Sequence, residues 1–237
     1  MQLLYKDAKL QIGFRLGLIM SIDKYFTGAY YRKKSAKMKN FTFQRYWEKR
    51  KQRVQEAIWP AQREARIQEE NLNHPERLAM LPYCSEGHGI EVGCGHRKTH
   101  ENCVGVDILP PDSIGGIGCV KGEKIVADIC TSGDDLHMFK DEELDFVVSR
   151  HNLEHYVDII KTLQEWKRVL KPGGIMATVT PDETNINTIK LDISHKHAFT
   201  PESLSRYIHL IGGFEIIQLD VVIPNWSFIC ACKKLGS

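Results

Sequence analysis

Two short stretches of the 237-residue chain carry residue types that could bind a nucleoside. In residues 89–95, Gly-Ile-Glu-Val-Gly-Cys-Gly, an apolar run ends in Gly93 and Gly95. Because glycine has no Cβ, this turn can bring the backbone close to a ligand. Residues 103–108 are apolar up to Asp107, and a carboxylate at the tip of a strand is placed to accept two hydrogen bonds from a ribose diol. The two stretches predict a nucleoside-containing cofactor at the carboxyl ends of parallel strands.

The spacing of these residues argues against a nicotinamide dinucleotide. A dinucleotide fingerprint has a third glycine and an acidic residue about 20 residues further along the chain. Here Lys98 occupies the third glycine position, and Asp107 follows Gly95 by only 12 residues. Glu91, just before the turn, would repel a pyrophosphate and instead suits a ligand that carries an ammonium group.

Histidines beyond the predicted strand ends could move a proton. Histidine suits a general base at neutral pH because its ordinary pKa lies near 6.5. His151 comes just after a predicted strand, and His195 and His197 lie in the loop after the next strand. We expect His151 or His195 to be the catalytic base, and His197 to be an ordinary loop residue.

Two patterns resemble metal sites. His-Asn-Leu-Glu-His at residues 151–155 fits a His-x-x-Glu-His zinc pattern, which requires a helix that displays both histidines. Because this segment directly follows a predicted strand, we predict no zinc site there. Cysteine and histidine also crowd residues 84–103, but without a Cys-x-x-Cys pair, and Cys94 lies inside the glycine turn. Chance crowding is the better account, with a metal site as the alternative, so the prediction is no metal.

The composition is that of an ordinary globular protein, with 42% hydrophobic and 26% charged residues. A chain of this length can bury one sizeable core and carry an appendage. The net charge of +2 gives no overall attraction to nucleic acid. The seven cysteines are scattered and odd in number, which indicates reduced thiols, and the first residues show no signal-peptide pattern. We therefore expect a cytoplasmic protein.

A strongly basic segment precedes the predicted nucleoside-binding domain. Residues 32–53 contain ten Lys or Arg and one acidic residue, Glu48, with aromatic residues interleaved. From Trp47 onward the apolar residues fall near helical spacing, so residues 1–74 are predicted to form a basic helical extension. The segment either packs one stripe of a solvated helix on the main domain or binds an anionic membrane surface, which would place the protein at the inner membrane surface. Nucleic acid is the weakest alternative.

Residues 75–237 alternate between strand and helix patterns. Such alternation predicts an α/β fold with a doubly wound, mostly parallel, seven-stranded sheet that ends in an antiparallel pair. A helix is predicted at 157–170, and another begins at Pro201 after the N-cap residue Thr200. The strands are predicted near residue 90 and at 104–108, 124–129, 144–149, 174–180, 214–222 and 227–232. Ligands of such sheets bind at the carboxyl ends of the strands.

Five segments in order resemble motifs of the class I S-adenosyl-L-methionine-dependent methyltransferases, in particular the type-11-like members. The resemblance covers about residues 89–234, and its motifs lie at 91–95, 105–108, 127–129, 145–155 and 170–174. It implies the doubly wound sheet and S-adenosyl-L-methionine as the cofactor. The chain departs from the family between the glycine turn and the second strand, where residues 96–103 are too few for the usual helix. A single turn or a plain loop is expected instead.

The resemblance also implies roles on the methionine side of the cofactor. The backbone at Gly93 and Gly95 is expected to approach the methionine part. Glu91 is expected to orient the turn and to help hold the ammonium group. Ser149 and Arg150 are expected to line the same side through their main chain.

On the adenosine side, the resemblance implies four binding residues. Asp107 is expected to bind the ribose hydroxyls, and Ile108 to pack on the adenine. Asp128 is expected to accept a hydrogen bond from the adenine amino group. The backbone of Ile129 is expected to lie nearby.

The acceptor is less defined than the cofactor. Ser149-Arg150-His151-Asn152 stands where amino-group nucleic-acid methyltransferases have an Asn/Asp-Pro-Pro-aromatic motif, and no Pro-Cys nucleophile is present. We therefore expect O-methylation of a small-molecule, saccharide or lipid-linked acceptor. Residues 195–204 are similar to a pattern in methyltransferases of glycan and cell-surface biosynthesis. The alternative is a non-catalytic module that binds S-adenosyl-L-methionine or a partner protein through the basic N-terminal helix.

Overall fold

The computed structural model describes residues 47–54, 69–116, 120–184 and 186–236. The chain divides into two compact units, Met1–Glu64 and Ala65–Ser237. In the first unit, residues 47–54 are helical and largely exposed, and the Arg50 guanidinium lies 4.9 Å from the centroid of the Trp47 ring. Residues 32–46 of the predicted basic segment lie outside the described residues, and the domain boundary at 74 stays a prediction.

The second unit contains the predicted seven-stranded sheet, in the order β3-β2-β1-β4-β5-β7-β6. All neighbouring strands are parallel except β7, which is antiparallel to both β5 and β6. The fold class and the antiparallel end of the sheet are therefore confirmed. The strands are β1 Gly89–Val92, β2 Cys103–Asp107, β3 Ile129–Cys130, β4 Leu144–Arg150, β5 Leu170–Pro181, β6 Phe214–Ile223 and β7 Ser227–Lys234.

Residues 69–72 of this unit are helical, and four further helices follow them in the described residues. They are α1 Pro75–Met80, α2 Ile159–Val169, α3 Thr188–Leu191 and α4 Pro201–Ile211, with 3₁₀ turns at Leu81–Tyr83 and Leu153–His155. Helix α4 begins as predicted, because the Thr200 side chain accepts from the Ser203 N–H and the Ser203 hydroxyl binds back to the Thr200 N–H. Helix α2 buries Leu163 and Trp166 on one face. No described helix is long and apolar enough to cross a lipid bilayer.

Apolar side chains cover both faces of the sheet. Val147 packs in one cluster with α2 and α4, whereas its neighbours Phe146 and Val148 pack in a second cluster with Met80 of α1. Successive residues of a strand point to opposite faces, so a strand segment buried on both sides is a continuous apolar run, as residues 146–148 of β4 are. The central strands are thereby held rigidly, and their carboxyl ends are fixed in position.

The third strand is shorter than predicted. Instead of a strand at 124–129, only Ile129–Cys130 pairs with β2, and Lys124 forms an isolated antiparallel bridge with Ile114. The Val126 N–H donates to the carbonyl oxygen of Gly95 at 2.9 Å. Val126 is therefore hydrogen-bonded to the glycine turn, and only at Asp128, whose N–H donates to the Gly105 carbonyl oxygen at 2.8 Å, does this segment reach β2.

Candidate active site

The glycine turn lies where the carboxyl ends of three central strands meet. Val92 is opposite Val106 of β2 and Ser149 of β4 in the sheet register. Gly93 and Gly95 both have positive φ angles, +71° and +55°, which favour glycine. The chain from Gly95 to β2 contains only turns and bends, so no helix N-terminus points at the turn. This agrees with the expected loop.

Asp107 holds the glycine turn and also faces open space. Its Oδ2 accepts a hydrogen bond from the Gly95 N–H and its Oδ1 from the Leu109 N–H, each at 2.9 Å. The carboxylate lines a cavity of about 150 Å³ together with Gly93 and Ile108. The Ile108 side chain is 69% exposed beside it. Because each carboxylate oxygen has a second lone pair, Asp107 can still accept bonds from a ligand.

Asp128 and Ile129 do not line this cavity. Asp128 Oδ2 accepts from the Gly105 N–H at 2.7 Å and is paired with Lys98. Burial raises the pKa of the Asp128 carboxyl, but the Lys98 ammonium and the Gly105 N–H lower it below its usual value. Three residues that the sequence did not single out, Thr131, Ser132 and Gly133, line the cavity instead.

Glu91 is buried beneath the glycine turn. Its oxygens accept from the Thr99 N–H, from the Thr99 hydroxyl at 2.9 Å and from Arg150 Nε at 3.3 Å. The Arg150 side chain also donates to Asn71 Oδ1 and to the Arg97 carbonyl oxygen, both at 3.2 Å. Arg150 therefore ties three segments together through its side chain, a role beyond the expected main-chain contact. The buried Ser149 hydroxyl donates to the Val92 carbonyl oxygen at 3.0 Å.

A larger crevice of about 430 Å³ adjoins the turn and is rich in histidine. Gly93 and His155 line both this crevice and the smaller cavity beside Asp107, so the two spaces share a wall. The histidines are His74, His96, His151, His155 and His195, and the acidic residues are Glu76, Glu91, Glu154 and Asp192. His197 is half-buried, with Nε2 3.2 Å from the Val157 carbonyl oxygen.

His151 is held between two carboxylates. Its Nε2 lies 2.8 Å from Glu76 Oε1, and its Nδ1 lies 3.7 Å from Glu154 Oε1. Burial lowers the pKa of His151, but the Glu154 and Glu76 carboxylates raise it to about 9. Its φ of +49° is unusual for a residue with a side chain. A histidine in this state is positively charged at pH 7, which does not suit a general base.

His195 has a different environment. Its Nδ1 is buried and has no hydrogen-bond partner among the described residues, and its Nε2 lies 4.0 Å from Glu154 Oε1. Burial lowers the pKa of His195, and the Glu154 carboxylate opposes this only in part. His195 is therefore largely neutral at pH 7. The structure brings both predicted histidines into one crevice.

The comparison with protein families decides what kind of domain this is. Residues 87–178 match the Methyltransf_11 family, described as a methyltransferase domain. The matched segment contains the glycine turn, Asp107, and Gly93 and His155 of the wall that the two cavities share. Residues 87–178 are therefore identified as similar to the class I S-adenosylmethionine-dependent methyltransferases, type-11-like. S-adenosylmethionine is the cofactor of this methyltransferase family.

A curated relative of the chain gives no further assignment. It is the uncharacterized protein MJ1123 of Methanocaldococcus jannaschii, which is 36% identical over 99 residues. That alignment covers 40% of this chain and 45% of the relative. The chain thus matches less than half the length of MJ1123.

Solved structures share the methyltransferase fold at low identity. A complex between the Haloferax volcanii Trm112 methyltransferase activator and a putative methyltransferase has a TM-score of 0.55 and 14% identity, covering 76% of this chain and 97% of that one. The YcgJ protein of Bacillus subtilis has a TM-score of 0.52 and 15% identity, covering 70% and 100%. A methyltransferase of Archaeoglobus fulgidus has a TM-score of 0.50 and 18% identity, covering 71% and 98%. These likenesses show the fold alone.

The residues around the smaller cavity of the methyltransferase domain fit S-adenosylmethionine. Asp107 offers a carboxylate for ribose hydroxyls, and the exposed Ile108 side chain offers an apolar face for adenine. The shared wall at Gly93 connects this cavity to the space where an acceptor would lie. The chemistry and shape of the site therefore agree with the family.

Glu76 of α1 should make the methyltransferase domain sensitive to acid. Burial raises the pKa of Glu76, but His151 and the Ser227 hydroxyl, which donates at 2.6 Å, lower it to about 2, with a smaller contribution from His74. A carboxyl whose pKa is about 4.5 unfolded and about 2 folded stabilises the fold above pH 4.5. That stabilisation is lost as the pH falls through 2.

The test is chemical unfolding of the wild type and of Glu76→Gln between pH 7 and pH 2. We expect the substitution to remove roughly 3 kcal/mol at pH 7 and to flatten the fall in stability toward low pH. Glu202→Gln, a substitution in an exposed ion pair with Arg206, is the matched control and should leave the pH profile of the wild type unchanged. Equal profiles for the wild type and Glu76→Gln would contradict the assignment.

Proposed function

We propose that the protein transfers the methyl group of S-adenosylmethionine to a hydroxyl group of an acceptor that occupies the histidine-lined crevice. The observation that carries this proposal is the wall shared by the two cavities, which contains Gly93 and His155. A cofactor beside Asp107 and an acceptor beside the histidines would meet at this wall. In-line alignment and exclusion of water are the main requirements of methyl transfer.

The chain's own residues have distinct roles in holding the cofactor, which supplies an activated methyl group when bound. Asp107 accepts hydrogen bonds from the ribose, and Ile108 packs on the adenine. Asp128, which is bonded to Gly105 and Lys98, and Ile129 lie outside the cavity beside Asp107. The backbone of the turn approaches the methionine part. Glu91, Gly93, Gly95, Ser149 and Arg150 are the residues proposed for that side. Hydrogen bonds from the Thr99 hydroxyl and from Arg150 Nε hold the Glu91 carboxylate in position beneath the turn.

The proton of the acceptor hydroxyl needs a receiving group, and the contacts favour His195 over His151. His151 Nε2 already binds Glu76 at 2.8 Å. His195 has one buried nitrogen without a partner among the described residues and lies in the loop that borders the crevice. We therefore assign proton transfer to the His195 side of the crevice and charge stabilisation to His151.

Apolar side chains near the crevice support an amphipathic acceptor such as a saccharide or lipid-linked molecule. Ile193 is 93% exposed and Val157 80% exposed, and both lie within two residues of crevice-lining histidines. Trp226 lines the crevice and is 38% exposed. An aromatic ring at the edge of a polar crevice suits a ligand with both apolar and hydroxylated faces.

The experiment incubates the full chain with methyl-labelled S-adenosylmethionine and a cell extract, which is then divided into lipid, glycan, small-molecule, protein and nucleic-acid fractions. We expect label in a lipid, glycan or small-molecule fraction, released by treatments that cleave methyl ethers or esters. His195→Ala should reduce the label at least about tenfold, because general acid–base catalysis contributes about 100-fold or more. His209→Ala is the control, since His209 is exposed on α4.

Two results would overturn the proposal. Label confined to nucleic acid or protein would assign a different acceptor class. Cofactor binding measured by calorimetry, with no label in any fraction, would support a non-catalytic binding module instead.

A further inference from the structure

Three side chains at the end of the crevice form a group that could hold a metal ion. Glu154, His155 and His195 each offer one ligand atom, and these atoms lie within 4.8 Å of one another. This is the one such group of three or more histidine, cysteine or acidic residues within residues 47–54, 69–116, 120–184 and 186–236. Glu154 and His155 come from the 3₁₀ turn after β4, and His195 from the loop after α3.

The buried carboxylate of Glu154 is the decisive feature. Glu154 is 1% exposed, and neither of its oxygens has a hydrogen-bond partner among the described residues. A buried charge without hydrogen bonds is costly to the fold. Most buried carboxylates in proteins are paired with a charged group or coordinate a metal. The Glu154 carboxylate therefore indicates a cation as its partner.

The other buried acids of the crevice each have a counter-charge of their own. Glu91 is paired with Arg150 at 3.3 Å, and Glu76 binds His151 at 2.8 Å. His151 also lies 3.7 Å from Glu154 Oε1, which is beyond hydrogen-bond distance. Because His151 lies closer to Glu76 than to Glu154, its positive charge compensates the Glu154 carboxylate only in part. The charge balance of the crevice therefore leaves room for a cation at Glu154.

The surroundings of His155 match those of a metal-ligating histidine. Its Nδ1 lies 3.1 Å from the Ser194 hydroxyl, which donates to Asp192 Oδ1 at 2.5 Å. Metal-bound histidines commonly donate their second nitrogen to an oxygen, and this fixes the tautomer and the ring orientation. With Nδ1 bound to Ser194, Nε2 is the nitrogen available to a metal.

The distances require only a small closure around an ion. Nitrogen and oxygen ligands lie about 2 Å from zinc, so that neighbouring donors are about 3.3 Å apart. His195 Nε2 and Glu154 Oε1 are 4.0 Å apart. A movement of less than about 1 Å by each side chain brings the group into range.

We propose that Glu154, His155 and His195 form a binding site for one divalent transition-metal ion, with zinc as the best fit to two imidazoles and a carboxylate. Magnesium prefers oxygen ligands, so two nitrogen donors argue against it. Three protein ligands leave a coordination position open to the crevice. A metal-bound acceptor oxygen would lose its proton more easily, and this would replace direct proton acceptance by His195. That role rests on the proposed function, whereas the binding itself does not.

The sequence alone predicted no zinc site at His-Asn-Leu-Glu-His, residues 151–155, and the proposed metal site differs from that prediction. The expected zinc motif needs two histidines on one helix. Here the segment contains only a 3₁₀ turn, Leu153–His155, and the second imidazole comes from His195, forty residues beyond His155. The pattern thus supplies two ligands and the fold supplies the third.

The test measures metal binding by the full chain in the absence of S-adenosylmethionine. Protein stripped with a chelator is titrated with ZnCl₂ by calorimetry, and with CoCl₂ while its visible absorption is recorded. We expect one equivalent to bind, with absorption typical of nitrogen and oxygen ligation. Glu154→Gln and His155→Ala should each weaken binding at least about 100-fold, because outer partners alone contribute 10- to 100-fold.

His197→Ala is the matched control, since His197 is in the same loop as His195 but outside the group. It should bind zinc as the wild type does. Absence of stoichiometric binding to folded wild-type protein would overturn the proposal, and so would binding that Glu154→Gln and His155→Ala leave unchanged. Thermal melts test whether each variant is folded. If one variant is unfolded, the zinc affinity of the other decides the outcome.

Failure of this proposal and failure of the proposed function are distinguishable. Zinc bound at the expected ligands without any methyl transfer would contradict only the proposed function. Methyl transfer by folded protein that binds no stoichiometric zinc would contradict only the metal proposal.

Discussion

Substituting Asp107 with alanine is expected to weaken binding of S-adenosylmethionine by a factor of about 100 or more. Hydrogen bonds to a charged group contribute about 1.5–3 kcal/mol each, and two bonds to a ribose diol therefore correspond to at least two powers of ten in the dissociation constant. The same substitution removes the bonds to the N–H groups of Gly95 and Leu109. The turn itself should thus loosen, and some stability should be lost. Calorimetric titration with S-adenosylhomocysteine, the demethylated form of the cofactor, measures the effect without turnover.

A matched control separates the loss of the ligand contact from the loss of a backbone anchor. Asp145 lies near the start of β4, at the edge of the sheet opposite the cofactor site. Its carboxylate accepts from the His88 N–H at 2.8 Å and from Lys171 Nζ at 2.6 Å. Asp145→Ala should lower the unfolding free energy but leave cofactor affinity unchanged. The assignment of Asp107 would be wrong if its alanine variant bound the cofactor as the wild type does, or if Asp145→Ala weakened binding equally.

Replacing Gly93 with alanine is expected to cost about 2–5 kcal/mol of unfolding free energy and to weaken cofactor binding at least about tenfold. A non-glycine residue pays about 1–2 kcal/mol for the left-handed backbone that φ of +71° requires. A Cβ at this position would also lie 2.3 Å from Asn152 Cγ. The Asn152 side chain is held by the Tyr156 hydroxyl at 2.8 Å, so it cannot move aside freely. Both cavities have Gly93 in their wall.

Two other glycines separate the backbone effect from the crowding. Gly173 has φ of +81°, and a Cβ there would meet only the end of the Lys233 side chain at 3.9 Å. Gly173→Ala should therefore cost only the backbone term of about 1–2 kcal/mol. Gly116→Ala has open space in the described structure and should change stability by less than about 0.5 kcal/mol. Similar losses at all three positions, measured by chemical unfolding, would contradict the crowding argument.

The local residue pattern was sufficient to predict much of the secondary structure of the methyltransferase domain. The apolar stripe of α2 and the Thr200 cap of α4 are encoded within a few residues, and both were found as predicted. The third strand could not be predicted in the same way. Its apolar residues are typical of a strand, but the Val126 N–H binds the carbonyl oxygen of Gly95. A tertiary hydrogen bond overrode the local preference.

The residues that sequence reasoning missed act across long separations. Glu76 binds His151 75 residues away, and Asn71 binds Arg150 79 residues away. No periodicity or motif links such partners, because their contact depends on how α1 and the segment before it pack against the strand ends. The charged state of His151 follows from Glu76 and Glu154 and could not be assigned from its place in the sequence.

The sequence by itself determined the doubly wound sheet, the glycine turn with its carboxylate, and the cofactor class, since these depend on residues close together in the chain. Only the tertiary structure decided which groups face each other across the crevice. Glu154 and His155 are adjacent in sequence, but their nearness to His195 arises from the loop after α3. The electrostatics of a site depend on distances of a few Å between segments far apart in the chain, and only folding sets those distances.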